Sequence, residues 1–147
     1  MLVTNHVLSG AVIGAATRRV LPAFVLGVAS HFVLDAIPHW GHWTKPPSFM
    51  QVAVSDGLTG LAVMGAMTAI APKGARAAVL AGMAGAALPD IDKPSNVFFG
   101  RSPWPRAFDR FHMGIQTEAP HHLKNEVAAA VVCCTAALGL LRRPRKA

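Results

Sequence analysis

The stretch HFVLDAIPHWGHW, residues 31 to 43, sets four ionisable side chains, His31, Asp35, His39 and His42, among apolar neighbours. His31 and Asp35 are four positions apart, so on a helix they share one face about a turn apart. Imidazole nitrogen and carboxylate oxygen are common ligands for zinc, and they also suit manganese and iron. Groups of the same kind recur near the ends of other apolar runs: His6 near the start, Asp56 in SDGLTG, Asp90 and Asp92 after Pro89 in ALPDID, and Glu126 where the last run opens. The chemistry this set suggests is the binding of a divalent metal. Each member also has a plainer reading. An HxxxD pair can be an ordinary helix-surface pair, Asp56 a polar residue inside a bundle, and Glu126 an acid at a helix N-terminus, where the dipole favours it.

Five apolar segments have to bring these residues together: about Asn5 to Thr17, Pro22 to Ile37, Phe49 to Ala71, Ala75 to Leu88, and Glu126 to Leu141. Prolines and paired arginines mark their ends. Several have no charged face; VAAAVVCCTAALGLL, residues 127 to 141, has one Thr and nothing more polar. A helix apolar all round is buried in a large core or in a membrane, and a chain of 147 residues is one small domain. Hydrophobic residues make up 52% and charged residues 14%, against about 25% charged in a typical soluble domain. The predicted fold class is therefore all-α: an integral membrane helical bundle of about five short apolar helices, with one domain over 1–147. Several segments are shorter than the ~20 residues of a spanning helix. Residues 90 to 125, with their prolines and charges, read as an extracytoplasmic loop holding a short helix near Pro105 to Gln116.

Tracing the segments as antiparallel neighbours sorts the charges. One end receives Arg18, Arg19, Lys73, Arg76, Arg142, Arg143, Arg145 and Lys146, with no acid and no histidine. The other receives all seven acids, all seven histidines, and Trp40, Trp43 and Trp104. The positive-inside rule makes the basic end cytoplasmic. The N-terminus and the His/Asp set would then lie outside a bacterial cytoplasmic membrane and the C-terminus inside. MLVTNH lacks a basic n-region, so no signal peptide is expected. Net charge is +7, but the charges are sparse and lie between apolar runs, unlike the dense stripe of a nucleic-acid binder; no nucleic-acid partner is expected. Cys133 and Cys134 are adjacent, a spacing that does not easily bridge, and read as small core residues. Gly10 and Gly14 form GxxxG, and Gly82 and Gly85 with Ala78, Ala81 and Ala86 form a second small-residue face; such faces let helices approach closely.

ASHFVLD and LPDIDKPSNVFFG resemble the SHxxxD and LPDIDHPxSxxG motifs of the bacterial membrane-bound predicted metal-dependent hydrolases. NHVLSGAVIG is similar to that family's N-terminal His-containing segment. A more distant likeness is to the helical zinc-dependent phospholipase C and single-strand nuclease group. The motifs cover about a third of the chain. Here the DID segment follows SHxxxD instead of preceding it, Lys93 stands where the family has His, and FHMGIQTE, residues 111 to 118, stands in place of HRGxTHS.

The resemblance implies ligand roles for His31, Asp35, Asp90 and Asp92, and by extension for His6 and His112. With Asp56, these form the expected metal set. Glu118 or Glu126 would serve as general base. Lys93, Arg101, Arg106 or Arg110 would hold a phosphate, which suits guanidinium geometry. The implied activity is metal-dependent hydrolysis of a phosphoester or related bond in a lipid or envelope molecule, with zinc the first choice of metal and manganese or iron open. Membrane lipids and such a substrate are the expected partners, and a homo-oligomer stays open. The same residues equally suit a non-enzymatic membrane protein with a structural or metal-handling site.

Overall fold

The computed structural model describes residues 1–41 and 46–142, with side chains from Met50 onward in the second stretch. His42, Trp43, Lys45, Arg143, Arg145 and Lys146 lie outside the described residues. The elements are α1 (Val3–Thr17), α2 (Val20–Asp35), α3 (Pro46–Ile70), α4 (Arg76–Ala87), α5 (Asp92–Phe99), α6 (Arg106–Gly114) and α7 (Leu123–Arg142). Short 3₁₀ turns at Leu88–Ile91 and Pro120–His122 lead into α5 and α7. Among the described residues the chain is all-helical, apart from a single bridge between His39 and Glu118.

The five apolar segments each become a helix, with ends within a few residues of those expected. The stretch 90 to 125 differs: it is not a loop with one helix but holds both α5 and α6. Pro94 is one of the prolines of that stretch. It falls in the first turn of α5, where a missing N–H costs nothing and the fixed φ suits the helix. Gly100, at φ 69°, closes that helix, its N–H donating to the Asn96 carbonyl at 3.0 Å.

Helix α4 is the centre, packed against α1 and α2, while α3 and α7 lie against α1. Small residues make the central contacts. A Cβ on Gly10 or Gly27 would overlap the Gly82 carbonyl, and one on Gly85 would overlap that of Phe24. Backbones thus touch at α1–α4 and α2–α4. Val7, Leu8, Ala11, Met67, Val79, Met83 and Ala137 form the buried apolar core around this seam.

The outer surface is also apolar: Leu21, Val25 and Val33 on α2, Leu58 and Leu61 on α3, and Val131 and Val132 on α7 are exposed. Met50–Ile70 (21 residues) and Pro120–Arg142 (23 residues) are long and apolar enough to cross a membrane. The 12 residues of α4 span only ~18 Å.

At the basic end, Arg76 donates to the Ala69 and Ala71 carbonyls, both at 3.0 Å, closing the C-terminus of α3. The opposite end has the reverse arrangement. Helix α1 has no acid in its first turn, and its free N–H groups recruit acids from elsewhere. Asp56 of α3 accepts from Val3 N (2.6 Å) and Thr4 N (3.2 Å), and Glu126 of α7 from Leu2 N (3.2 Å).

Candidate metal centre

Asp35 ends α2, one turn beyond His31, and its carboxylate is the meeting point of three other parts of the chain. Oδ2 lies 3.0 Å from His31 Nε2 and 2.9 Å from His112 Nε2, the latter on α6. Those two nitrogens are themselves 2.9 Å apart. Three candidate ligand atoms thus form a nearly equilateral triangle. An octahedral site with bonds of ~2.1 Å has edges of roughly 3.0 Å, and two His with one carboxylate on a face is a familiar metal-binding arrangement.

The tautomer of His31 follows from its second contact. Nδ1 lies 2.8 Å from the Ala86 carbonyl of α4; a carbonyl only accepts, so Nδ1 carries the proton. In the neutral ring, Nε2 then presents a lone pair to the triangle. One proton on His112 Nε2 could serve only one of its two edges well, whereas a cation at the centre serves all three. Orientation of a ligating imidazole by a backbone carbonyl is the usual outer-shell arrangement.

Two further donors flank the triangle. His6 of α1 is fully buried and stacks on His31 with ring centroids 3.9 Å apart. Its Nε2 is 3.1 Å from Asp35 Oδ1, but neither ring nitrogen has a hydrogen-bond partner of normal geometry among the described residues. A buried imidazole whose one polar contact is poorly aligned and whose Nδ1 has none is costly unless something else binds it. Asp90, on the 3₁₀ turn after α4, brings Oδ1 to 3.8 Å from His112 Nε2 and 4.0 Å from His31 Nε2. Three overlapping groups could hold a metal ion: His6, His31 and Asp90; His31, Asp35 and His112; and Asp90, Asp92 and His112. The donor chemistry therefore fits a divalent cation.

The surroundings hold this set in place. Phe32 packs edge-on against His31 and His112, at 5.3 and 5.9 Å, and Phe108 and Phe111 close the same side. Trp104 Nε1 donates to the Pro89 carbonyl at 3.0 Å, tying the segment before α6 to the turn that carries Asp90. The Met1 amine (2.6 Å) and Gln116 Nε2 (3.3 Å) also donate to Asp35. Gln116 was missed in the sequence, although HMGIQ repeats the four-residue spacing of His31 and Asp35.

The remaining expected site residues are distributed as follows. Asp92 is buried and pairs with Lys93, whose Nζ lies 3.1 Å from Asp92 Oδ2 and 3.6 Å from Asp90 Oδ1. Burial works against the Lys93 charge, but the two carboxylates outweigh it and hold the ammonium above its usual pKa. Asp56 and Glu126 do not join the cluster, because the first turn of α1 takes their carboxylates; Glu126 also accepts from Asn5 Nδ2. Glu118 lies in the bridge to the segment after α2. There His39 N donates to the Thr117 carbonyl and Ala119 N to that of His39, at 3.0 and 3.1 Å, and His39 Nε2 faces Glu118 Oε1 at 3.7 Å. Burial opposes the His39 charge, but Glu118 more than compensates and raises its pKa. Arg101, Arg106 and Arg110 are exposed, and among the described residues none bonds to the cluster.

Comparison with protein-family models, curated proteins and solved structures gives no match.

Proposed function

We propose that this chain is a membrane-embedded metal-dependent hydrolase that acts on a phosphoester or related bond of a lipid or envelope molecule. The observation that carries this reading is the His31–Asp35–His112 triangle, with edges of 2.9 to 3.0 Å, beside Asp90 and the Lys93 ammonium. His31, Asp35 and His112 would hold the ion, with His6 and Asp90 as flanking donors. Zinc suits this set best, and manganese or iron also fits it. A bound divalent ion lowers the pKa of a water molecule and polarises a phosphoryl oxygen.

The chain's own residues supply the rest. Asp35 neutralises the positive charge around it and fixes both imidazoles. Asp90, less buried than the triangle, would complete the donor set on its more open side. Lys93 pairs with Asp90 and Asp92 and can donate to a substrate oxygen. The exposed Phe98 and Phe99 of α5, with Arg101 beyond them, suit a membrane interface. The apolar outer surface of α2, α3 and α7 supports membrane insertion, with the site outside and the basic end cytoplasmic.

One observation favours a second reading, a structural clamp: His6, His31, Asp35 and His112 are each at most 1% exposed. Asp90→Asn separates the two. In a hydrolase it should lower turnover by about 100-fold or more, some 2.7 kcal/mol in the barrier, with little change in melting temperature. In a clamp it lowers melting temperature together with bound metal, and there is no turnover to lose. Bound metal, melting temperature and phosphodiester hydrolysis should be measured on the same samples of detergent-purified protein. Wild-type protein free of metal after purification without chelator would sink both readings.

A further inference from the structure

The third ligand group, Asp90 with Asp92 and His112, shares His112 with the triangle and would make a second metal position next to it. That position already has a cation. Lys93 Nζ lies 3.1 and 3.3 Å from the two oxygens of Asp92 and 3.6 Å from Asp90 Oδ1. Both Asp92 oxygens are therefore engaged by one ammonium, which also faces the only other acid of the group.

We infer that the Lys93 ammonium takes the place of a second metal ion, so that the centre binds one divalent cation per chain and not two. The inference rests on the metal-centre reading above and deepens it. Three features carry it. Asp92 is buried, and a buried carboxylate needs a partner; Lys93, the next residue, supplies it. The ammonium is tethered, so its local concentration at the acid pair far exceeds that of a free metal ion. A divalent ion entering the pair would also sit beside an ammonium and a first metal, and like charges at such distances repel strongly in a partly buried site. Lys93 itself is 41% exposed along its side chain, so its charge can reach a substrate oxygen from the open side. In two-metal hydrolytic sites the second ion stabilises one of the oxygens of the displacement; here an N–H donor would stand at that position.

The test counts metal. Full-length protein in detergent is equilibrated with excess Zn²⁺, freed of unbound ion, and analysed for zinc per chain by mass spectrometry. Wild type and Lys93→Arg should hold one equivalent. Lys93→Met removes the charge, adds no ligand and changes a partly exposed side chain, so helix content should be unchanged. It should hold two equivalents, and Asp92→Asn in the Lys93→Met background should return the count to one. Lys93→Gln serves as a second neutral variant if Lys93→Met is poorly folded. Two equivalents in wild type, or one in both neutral variants, overturns the inference and leaves the metal centre standing. No zinc in wild type or any variant overturns the centre and the inference together.

Discussion

His31 Nε2 and His112 Nε2 meet 2.9 Å apart, edge to face, over the carboxylate of Asp35, although 81 positions separate them in the chain. Neither ring has a better partner for that nitrogen than the other two corners of the triangle. The two histidines should therefore act as one unit. His31→Ala and His112→Ala are each expected to weaken zinc affinity by at least ~100-fold, comparable to or beyond the loss of an outer-shell partner. The double variant should be little worse than either single one, since residues in one network are not additive. Competition with a chromogenic chelator measures all three. Independent, additive losses would show that the rings do not share an ion.

Asp56 is expected to matter for α1 and not for metal. Its carboxylate accepts from Val3 N, Thr4 N and Thr4 Oγ1, the last at 2.6 Å. Removing an N-terminal cap costs ~1–2 kcal/mol. Asp56→Ala should lower the melting temperature by several degrees and leave the zinc content of the protein unchanged. A loss of zinc in proportion to Asp56 removal would restore it to the ligand set.

Two glycines in the helices should respond oppositely to the same added methyl. At Gly82 a Cβ would overlap the backbone of Gly10, whereas around Gly65 in α3 nothing lies within 4 Å. Gly65→Ala should be neutral or stabilising by up to ~1 kcal/mol, the helix-propensity gain. Gly82→Ala should cost ~2–3 kcal/mol or more, because backbone cannot move aside as a flexible side chain can. Thermal unfolding in one detergent compares them directly, and equal effects would contradict the close α1–α4 contact.

The His39–Glu118 pair gives a pH dependence of definite sign. The folded-state pKa of His39 is raised above the ordinary 6.5. A raised histidine contributes stability that is fully present below the unfolded value and is lost as pH rises through the folded one. The contribution also needs Glu118 in its carboxylate form, which Glu118→Gln removes. The difference in melting temperature between wild type and Glu118→Gln should therefore be larger at pH 5.5 than at pH 8.5. A difference that grows with pH would mean that His39 is neutral in the folded protein.

Much of this was legible from residue types. The apolar runs located five helices to within a few residues, since their ends are set by local prolines, arginines and polar residues. The HxxxD spacing put His31 and Asp35 on one face because both lie on the same helix. The division of labour among the acids was not legible. Whether Asp56 and Glu126 bind metal or satisfy α1 depends on a first turn that has no acid of its own, and on the middle of α3 and the first turn of α7 both lying beside it. The prolines of residues 90 to 125 made that stretch read as a loop, because sequence alone does not say whether a proline such as Pro94 sits in the first turn of a helix or in its middle. The hold of Lys93 on Asp90 and Asp92 needed the 3₁₀ turn at Leu88–Ile91, which brings residues three apart to the same side.

The carbonyl that orients His31 belongs to Ala86, four residues beyond Gly82, on the helix whose backbone touches those of α1 and α2. No side chain cushions those contacts. A seam between side chains can absorb an error by changing rotamers, but a seam between backbones has almost no compliance. The positions of His6 on α1, His31 on α2 and the Ala86 carbonyl on α4 are thus referred to one mechanical datum, and the tolerance of the centre is that of the glycine contacts beneath it. A single methyl group inserted there would be transmitted upward as misalignment of the imidazoles, at a distance from every atom that could touch a metal.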